Sequence, residues 1–210
     1  MKGDKNEGLL AGTSLPLVEE FYSIQGEGYH AGKPAYFVRL GGCDIGCNWC
    51  DSRFAWNSKL HAKIKTDLII DHATQSGTDS VVVTGGEPLI WNLDYLCKGL
   101  KMAGMKTFLE TSGAYRLSGI WDWICLSPKK NMPPVKEICK MADELKIIIE
   151  DITDFKWAEK YRHMVNDKCC MFLQPEWSRY KIIIPEIVEY VKRNPYWRIS
   201  LQIHKFMHIP

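Results

Sequence analysis

The sequence predicts an α/β fold, built as an incomplete β/α barrel with mostly parallel strands. Three observations predict this class. Short apolar segments that suit strands alternate with segments of helical periodicity along the 210 residues, as in right-handed βαβ units. The helical segments are few and several links are short, which favours a partial barrel over a complete one. Polar or glycine-rich clusters follow most of the strands, where a parallel sheet binds its ligands.

The first half of the chain contains three predicted strands and two predicted helices. The predicted strands cover residues 17–24, 35–40 and 80–83. The predicted helices cover residues 66–74 and the segment from Leu89 until Gly104, where apolar side chains recur at helical spacing. Residues 1–16 are polar and glycine-rich, so we expect a loose leader followed by a single core domain over residues 17–210. Residues 43–61 show no periodicity and predict a long functional loop.

The second half repeats the alternation. The predicted strands cover residues 106–109, 123–126, 144–149, 170–173 and 198–203. The predicted helices cover residues 152–164 and 182–191, the second with Pro185 inside it. The clusters that follow strands read GGC, TGGEP, ETSG, SPK, QPEW and QIHK. Because the carboxyl ends of parallel strands meet at one edge of a sheet, we expect these clusters to form one shared site.

The charge balance gives no reason to expect a nucleic-acid or membrane partner. Lys and Arg total 27 and Asp and Glu total 25, so the formal net charge is +2. No apolar run approaches the roughly 20 residues that cross a bilayer, and the polar N-terminus does not resemble a signal peptide. We therefore expect a cytoplasmic protein that binds neither nucleic acid nor membranes.

The eight cysteines are the unusual feature of the composition. Three of them, Cys43, Cys47 and Cys50, have the spacing Cys-x3-Cys-x2-Cys, and a loop of this length can point three thiolates at one metal centre. Structural zinc takes four ligands and no fourth follows at finger-like spacing, whereas an iron–sulfur cubane on three thiolates keeps one iron open. The remaining cysteines are expected to pack as small apolar residues: Cys97, Cys125, Cys139, Cys169 and Cys170.

The loop CDIGCNWC resembles the cluster loop of the radical S-adenosylmethionine (SAM) enzymes. TGGEP, which follows the third predicted strand, resembles the GGE motif of the same superfamily. The resemblance implies the modified partial barrel of radical SAM enzymes and a 4Fe–4S cluster on Cys43, Cys47 and Cys50. It also implies that the open iron binds SAM and that reduction of the cluster cleaves SAM to a 5′-deoxyadenosyl radical.

Further motifs narrow the resemblance to the 7-carboxy-7-deazaguanine synthase family, over residues 18–210. They are FYSIQGEG, FVRLGGC, CDS, TGGEP, ETSG, SPK, ELKIII, QPEW and QIHKFMHIP. The resemblance implies a lyase of queuosine and 7-deazapurine biosynthesis. Hydrogen abstraction would start a ring contraction of 6-carboxy-5,6,7,8-tetrahydropterin to 7-carboxy-7-deazaguanine, with loss of ammonia. It also implies a homodimer and an external electron donor such as flavodoxin or ferredoxin.

The resemblance implies a SAM site that draws on several of the strand-end clusters. Its predicted members are Trp49, Asp51, Gly85, Gly86, Glu87, Ser112, Ser127, Pro128, Lys129, Gln174, Pro175, Glu176 and Trp177. The two glycines allow close backbone approach, and Glu87 is expected to accept a hydrogen bond from the SAM ammonium. A plain strand-to-helix turn with Pro88 at the first helical position is an alternative interpretation, and both can hold together.

The resemblance also implies a pterin site formed from both ends of the chain. The predicted substrate-binding residues are Ile24, Gln25, Gly26, Glu27, Arg39, Thr84, His204 and Pro210. A carboxylate accepts two parallel N–H bonds, so Glu27 suits the guanidine-like face of a pterin. Arg39 suits the substrate carboxylate, with a surface ion pair as its alternative role. The terminal carboxylate of Pro210 is expected to contact the substrate, so a C-terminal extension should weaken substrate binding.

Ser52 stands where the family usually carries Thr, whose hydroxyl ligates a magnesium ion. Serine keeps the oxygen that a hard cation prefers but loses the methyl group that restrains the rotamer. We therefore predict a Mg²⁺ site at Ser52, with an ordinary loop residue as the alternative.

Two other functions are compatible with parts of the sequence. A glycyl-radical activating enzyme has a similar size and cysteine loop, but Gln25-Gly26-Glu27 and the terminal HIP favour a pterin enzyme. A zinc-binding module without catalytic activity would need a fourth ligand and a binding surface that the sequence does not suggest.

Overall fold

The computed structural model describes residues 4–210 and contains one open sheet of nine strands. The strands are β1 (Ser14–Ile24), β2 (Pro34–Leu40), β3 (Ala62–Lys65), β4 (Ser80–Gly85), β5 (Lys106–Thr111), β6 (Trp123–Leu126), β7 (Glu144–Ile149), β8 (Cys170–Pro175) and β9 (Trp197–Ile199). Their order is β3-β1-β2-β4-β5-β6-β7-β8-β9, and every pair from β2 to β9 is parallel. The predicted α/β class with mostly parallel strands is confirmed, and the sheet does not close into a barrel.

The helices are α1 (Asp4–Leu10), α2 (Thr66–Gln75), α3 (Asp94–Met102), α4 (Lys136–Met141), α5 (Asp154–Arg162), α6 (Tyr180–Arg193) and α7 (Ile203–Met207). Helices α2 to α6 lie between strands and cover one face of the sheet, whereas α1 precedes β1 and α7 follows β9. Short 3-10 helices follow the cysteine loop and the TGGEP and QPEW clusters. Among residues 4–210, no helix combines the length and apolar character needed to cross a bilayer.

Side chains alternate between the two faces of the sheet, and the two faces differ in polarity. Outward residues such as Val83, Leu109 and Ile147 join the main core beneath the helices. The opposite, inner face carries a small apolar cluster around Phe37 and Val82. The remaining inner positions are largely polar, so the concave side of the sheet is suited to a ligand rather than to packing.

A bulge in β1 turns the strand from the core to the inner face. The register shifts between Leu17, which pairs with Leu40, and Glu19, which pairs with Arg39. Beyond the bulge, Phe21 stacks on Phe37 with ring centroids 5.2 Å apart. One extra residue reverses which face the following side chains occupy, and the bulge thus completes the inner surface.

The structure differs from the prediction at the N-terminus. Residues 1–3 of the predicted leader lie outside the described residues, whereas Asp4–Leu10 form α1 and β1 already begins at Ser14. Leu15 is completely buried in the core and pairs with Ile64 of β3. Residues 14–16 therefore belong to the sheet, because β3, which the sequence did not predict, provides their partner strand.

Two predicted boundaries in the rest of the chain were wrong. The helix after TGGEP begins at Asp94, since the Ser118 hydroxyl binds the backbone N–H of Leu93 and a 3-10 turn precedes it. The last strand ends at Ile199 rather than at residue 203. The backbone N–H of Ile203 donates to the carbonyl of Gly26, which draws the chain out of the sheet and into α7.

Because Leu109 of β5 is buried in the main core, a cavity at its position should lower the stability of the protein substantially. We expect Leu109→Ala, at a completely buried position, to lower the free energy of unfolding by about 2–5 kcal/mol. Met102→Ala at a position 80% exposed is the matched control and should change it by less than about 0.5 kcal/mol. Urea denaturation followed by circular dichroism measures both, and equal small effects would contradict this assignment of the core.

Candidate active site

The strand-end clusters meet around one cavity of about 280 Å³. Its lining includes every predicted site residue except Pro128 and contains members of all six clusters. Pro128 instead lines a smaller pocket of about 90 Å³, whose wall also contains Cys47, Trp49 and Lys129. The expectation of one shared site at the carboxyl ends of the strands matches this arrangement.

The cysteine loop forms one wall of the cavity. Cys43, Cys47 and Cys50 are half-buried and line it together. The backbone N–H of Cys43 donates to the carbonyl of Trp56 over 3.0 Å, and the indole N–H of Trp56 donates to Cys50 Sγ over 3.3 Å. Trp56, further along the same loop, therefore holds both Cys43 and Cys50.

The donor set consists of three thiolates on one wall of the cavity, and soft thiolates are ligands that suit iron–sulfur clusters. In a cubane each thiolate would bind a different iron. Burial raises the pKa of the Cys43 and Cys47 thiols, while Lys129 lowers that of Cys47. Binding of a metal cluster would displace those protons.

Gly85 and Gly86 let β4 approach the cysteine loop. Gly85 has φ +152°, and a Cβ there would lie 2.1 Å from the Leu40 carbonyl oxygen. A Cβ on Gly86 would lie 2.4 Å from the Gly42 carbonyl oxygen and 2.6 Å from Cys43 Cβ. Any side chain at either position would push the two motifs apart, so the predicted close backbone approach is present.

The Glu87 carboxylate is buried and already fully hydrogen-bonded. Its Oε1 accepts from Leu89 N at 3.0 Å and Thr111 Oγ1 at 2.6 Å, and its Oε2 accepts from Ser112 N at 2.9 Å and Ser112 Oγ at 2.5 Å. A carboxylate offers about four acceptor positions. Glu87 could therefore accept a hydrogen bond from a SAM ammonium only if one of its four present donors moved away. The strand-to-helix turn with Pro88 at its first helical positions is also present.

Lys129 and Trp49 form a second part of the wall. The Lys129 ammonium donates to Ser127 Oγ at 2.6 Å and to the Ser127 carbonyl at 2.7 Å, and it lies 5.5 Å from the centre of the Trp49 ring. Burial lowers the pKa of Lys129, partly offset by the neighbouring Cys47. The SPK cluster thus places a cation beside the cysteine loop.

The QPEW cluster supplies buried polar groups that already form hydrogen bonds within the protein. Gln174 accepts from the Ser200 hydroxyl at 2.7 Å. Glu176 caps the following 3-10 helix through the N–H groups of Ser178 and Arg179. Trp177 is 39% exposed and packs against Phe206 of α7. Pro175 also lines the cavity, so the cluster contributes shape and one aromatic surface at its rim.

The inner face of the sheet forms a charged floor. Lys146 of β7 donates to Glu27 Oε2 at 2.7 Å and to Glu110 Oε2 at 2.9 Å. Gln25 donates to Glu110 over 3.3 Å and Gln202 donates to Glu27 over 2.9 Å. Burial alone would raise the pKa of Glu27, but the charge and hydrogen bonds of Lys146 and Gln202 lower it to about 2.

Three residues of this floor were not predicted as site residues: Glu110, Lys146 and Gln202. Each lies in a motif that the sequence displays, namely ETSG, ELKIII and QIHK. Lys146 lies in a buried strand whose other residues are apolar except for Glu144, and a lysine in such a strand is the signal that identifies it.

Arg39 and Ser52 lie side by side at the end of β2. Arg39 Nε donates to Glu19 at 2.7 Å, which is the predicted alternative of an ion pair, and Nη1 lies 3.5 Å from Ser52 Oγ. Ser52 in turn donates to Asp51 Oδ1 at 3.2 Å, and Lys205 donates to Asp51 Oδ2 at 2.7 Å. Two oxygen ligands for a hard cation are therefore adjacent, next to an arginine that would have to turn away.

The C-terminal segment closes over the cavity through α7. Nδ1 of His204 lies so close to Gly26 that a Cβ there would be 2.0 Å from it. His208 adopts φ 56° and reverses the chain after α7, and the Ser23 hydroxyl donates to the Pro210 carbonyl at 3.3 Å. Ile24 and Thr84 complete this side of the cavity. Tertiary contacts thus bring the first and last parts of the chain together.

Comparison with known proteins gives consistent results. Residues 24–145 match the family model described as a 4Fe-4S single cluster domain. The chain is 53% identical to a 7-carboxy-7-deazaguanine synthase of Flavobacterium psychrophilum, covering 95% of this chain and 94% of the relative. It is 42% identical to the enzyme of that name from Synechocystis sp., covering 93% and 94%.

A solved structure supports the same assignment. The crystal structure of QueE from Escherichia coli superimposes with a TM-score of 0.80 and 27% sequence identity, covering 95% of this chain and 98% of that chain. These relatives therefore match more than nine-tenths of the chain. The chain belongs to the 7-carboxy-7-deazaguanine synthase family.

Proposed function

We propose that this protein is a radical SAM lyase that converts 6-carboxy-5,6,7,8-tetrahydropterin to 7-carboxy-7-deazaguanine with loss of ammonia. The observation that carries the proposal is the cavity, in which a three-cysteine wall faces the same space as the floor around Lys146. A wall of soft thiolates suits an iron–sulfur cluster, and a floor of paired carboxylates suits a ring rich in N–H donors. The family assignment favours this reaction over glycyl-radical activation or zinc binding.

The cluster and SAM would be held on the wall around the cysteine loop. Cys43, Cys47 and Cys50 would ligate the 4Fe–4S cluster, which together with SAM supplies the radical that abstracts a hydrogen atom from the substrate. Gly85 and Gly86 keep β4 against this loop. Trp49, held beneath the Lys129 ammonium, offers an aromatic surface for the adenine, and Ser127 fixes that ammonium in turn.

The chain's own contribution is orientation of the pterin and exclusion of water. Glu27 and Gln25 present acceptors and an amide toward the pyrimidine ring, and they are already fixed by hydrogen bonds to Gln202 and Glu110. Arg39 uses only part of its guanidinium on Glu19 and would take the substrate carboxylate with the rest. His204 and Pro210 would contact the ring from the C-terminal segment.

A magnesium ion is proposed at Ser52. Its hydroxyl and the Asp51 carboxylate lie 3.2 Å apart, and such oxygens are the ligands that Mg²⁺ prefers. The substrate carboxylate would complete the set, which would also draw Arg39 away from Ser52.

Further parts of the proposal concern partners and location. We propose a cytoplasmic homodimer that is reduced by an external donor such as flavodoxin or ferredoxin. Cys47 and Trp49 line the smaller pocket as well as the cavity, so the cluster region can be approached from a second side.

The reaction itself is tested by an anaerobic assay. With reductant, SAM and 6-carboxytetrahydropterin, the brown reconstituted protein should contain about four irons per chain and release 7-carboxy-7-deazaguanine. Mass spectrometry measures the product, and the triple variant Cys43→Ala/Cys47→Ala/Cys50→Ala is the control. Cluster-replete protein without product would contradict the proposed reaction, and colourless protein with one zinc would favour the binding module.

The glycine contact predicts a selective loss of the cluster. Gly86→Ala places a Cβ against Gly42 and Cys43, so we expect poor iron incorporation and about 1–3 kcal/mol less stability. Gly99→Ala is the control, because its Cβ meets side-chain atoms of Ile70, the nearest being the terminal Cδ1, and no backbone atom, and because alanine favours helix α3. Iron analysis and thermal melting measure both effects. Full iron content in Gly86→Ala would show that the close approach is dispensable.

The proposed magnesium site predicts a dependence on one hydroxyl. Ser52→Ala should abolish the stimulation of turnover by Mg²⁺ and raise the substrate KM about tenfold or more, since an oxygen ligand is lost. Ser52→Thr keeps the hydroxyl and should retain the stimulation. A titration of activity against MgCl₂, with SAM binding measured alongside, distinguishes them. Identical magnesium curves for Ser52→Ala and the unchanged protein would argue against this site.

A further inference from the structure

Lys146 is the most deeply buried charged side chain of the cavity floor, and the roles proposed above do not include it. Its side chain is 4% exposed, whereas those of its partners Glu27 and Glu110 are 18% and 22% exposed. Lys146 lines the same cavity as both carboxylates, but its side chain is the least exposed of the three. Such a burial is costly unless the ion is paired and hydrogen-bonded, and here both conditions are met.

The two carboxylates come from different parts of the fold. Glu27 follows β1 in an irregular loop, whereas Glu110 lies on β5. Lys146 of β7 bridges them with bonds of 2.7 and 2.9 Å. Each carboxylate uses its second oxygen for one amide donor, Gln202 for Glu27 and Gln25 for Glu110. The Lys146 ammonium thus fixes the distance between the two carboxylates and their orientation, which no shared helix or strand would do.

The remaining acceptor capacity faces the cavity. A carboxylate has about four acceptor positions, and Glu27 Oε1 and Glu110 Oε1 each accept one amide hydrogen bond within the floor. Each carboxylate also accepts from Lys146, so about two positions remain free on each of them. Such positions on fixed carboxylates suit a flat heterocycle that presents several N–H donors along its edge. Unfixed carboxylates would repel one another, take up protons or turn to solvent.

We propose that Lys146 is a positioning residue, which holds Glu27 and Glu110 as a rigid pair of acceptors for the aminopyrimidine edge of the substrate. The inference rests on the proposed function, since it takes the pterin as the ligand of the floor. Lys146 itself acts through the two carboxylates and does not contact the reacting atoms. Its loss should therefore affect how the substrate is bound and leave the cluster and SAM in place.

The test compares Lys146→Met with Lys106→Met. The first removes the buried ammonium at nearly constant shape, and the second removes an exposed ammonium, 59% accessible and paired with Asp79, from the same sheet. The reconstituted proteins are assayed anaerobically with 6-carboxytetrahydropterin. We expect Lys146→Met to raise the substrate KM about tenfold or more, because a buried charged partner of the binding groups is lost. Lys106→Met should match the unchanged protein.

A second readout separates positioning from a structural role. A misplaced substrate leaves the radical without its target, so Lys146→Met should form more 5′-deoxyadenosine per product. Its iron content and SAM affinity should stay close to those of the unchanged protein, although loss of the buried pair lowers its melting temperature. Lys146→Gln keeps a hydrogen-bond donor for the carboxylates. Its ratio of 5′-deoxyadenosine to product should lie between those of Lys146→Met and the unchanged protein. It also serves as the test protein if Lys146→Met does not fold.

The outcomes are distinct. An unchanged KM and an unchanged ratio of 5′-deoxyadenosine to product in Lys146→Met would overturn the inference, provided that the unchanged protein forms product. Loss of iron, SAM binding and fold in both variants would also overturn it, because Lys146 would then support the sheet. Absence of product from the unchanged protein would instead count against the proposed function.

Discussion

The close contact between the ends of β2 and β4 is the constraint on which the rest of the site depends. These strands are parallel neighbours, and their ends carry the cysteine loop and the GGE segment. Only glycine at Gly85 and Gly86 permits the observed spacing, because a Cβ at either would overlap the backbone of β2 or of the residues that follow it. The contact therefore sets where the cysteines stand relative to the sheet and to every other strand end.

The two faces of the sheet have different roles: the outer face stabilises the fold, and the inner face forms the polar cavity. The outer face is covered by helices and stabilised by burial of aliphatic side chains such as Leu109 and Ile147. The inner face buries charges and amides instead, and so contributes less of this apolar stabilisation. The burial of its ions is tolerated because they are paired, as in the bridge from Lys146 to two carboxylates. A concave, preorganised polar surface is what orientation of a small polar substrate requires.

Several motif residues form hydrogen bonds within the protein itself, in addition to any contact with a ligand. Glu87 binds the loop after β5, Glu176 caps a 3-10 helix and Gln174 binds Ser200. The bonds of Glu87 and Gln174 tie a strand end to its neighbour, and those of Glu176 fix the turn after β8, which together stiffen the rim of the cavity. The same side chains that the motifs display are thus part of the frame, and their exchange would loosen the site as well as any contact with a bound molecule.

The sequence by itself determined the fold class, the positions of most strands along the chain and the three-cysteine loop. These follow from periodicity and local spacing, because a strand or a metal-binding loop is a property of consecutive residues. Most other residues of the cavity lining were predicted from the resemblance to a known family. Only the tertiary structure decided that β3 pairs with the first residues of β1, that the last segment forms α7, and that Lys146 joins Glu27 to Glu110. Those contacts depend on sheet register and on which side chains meet across strands distant in the chain, and local spacing does not encode such meetings.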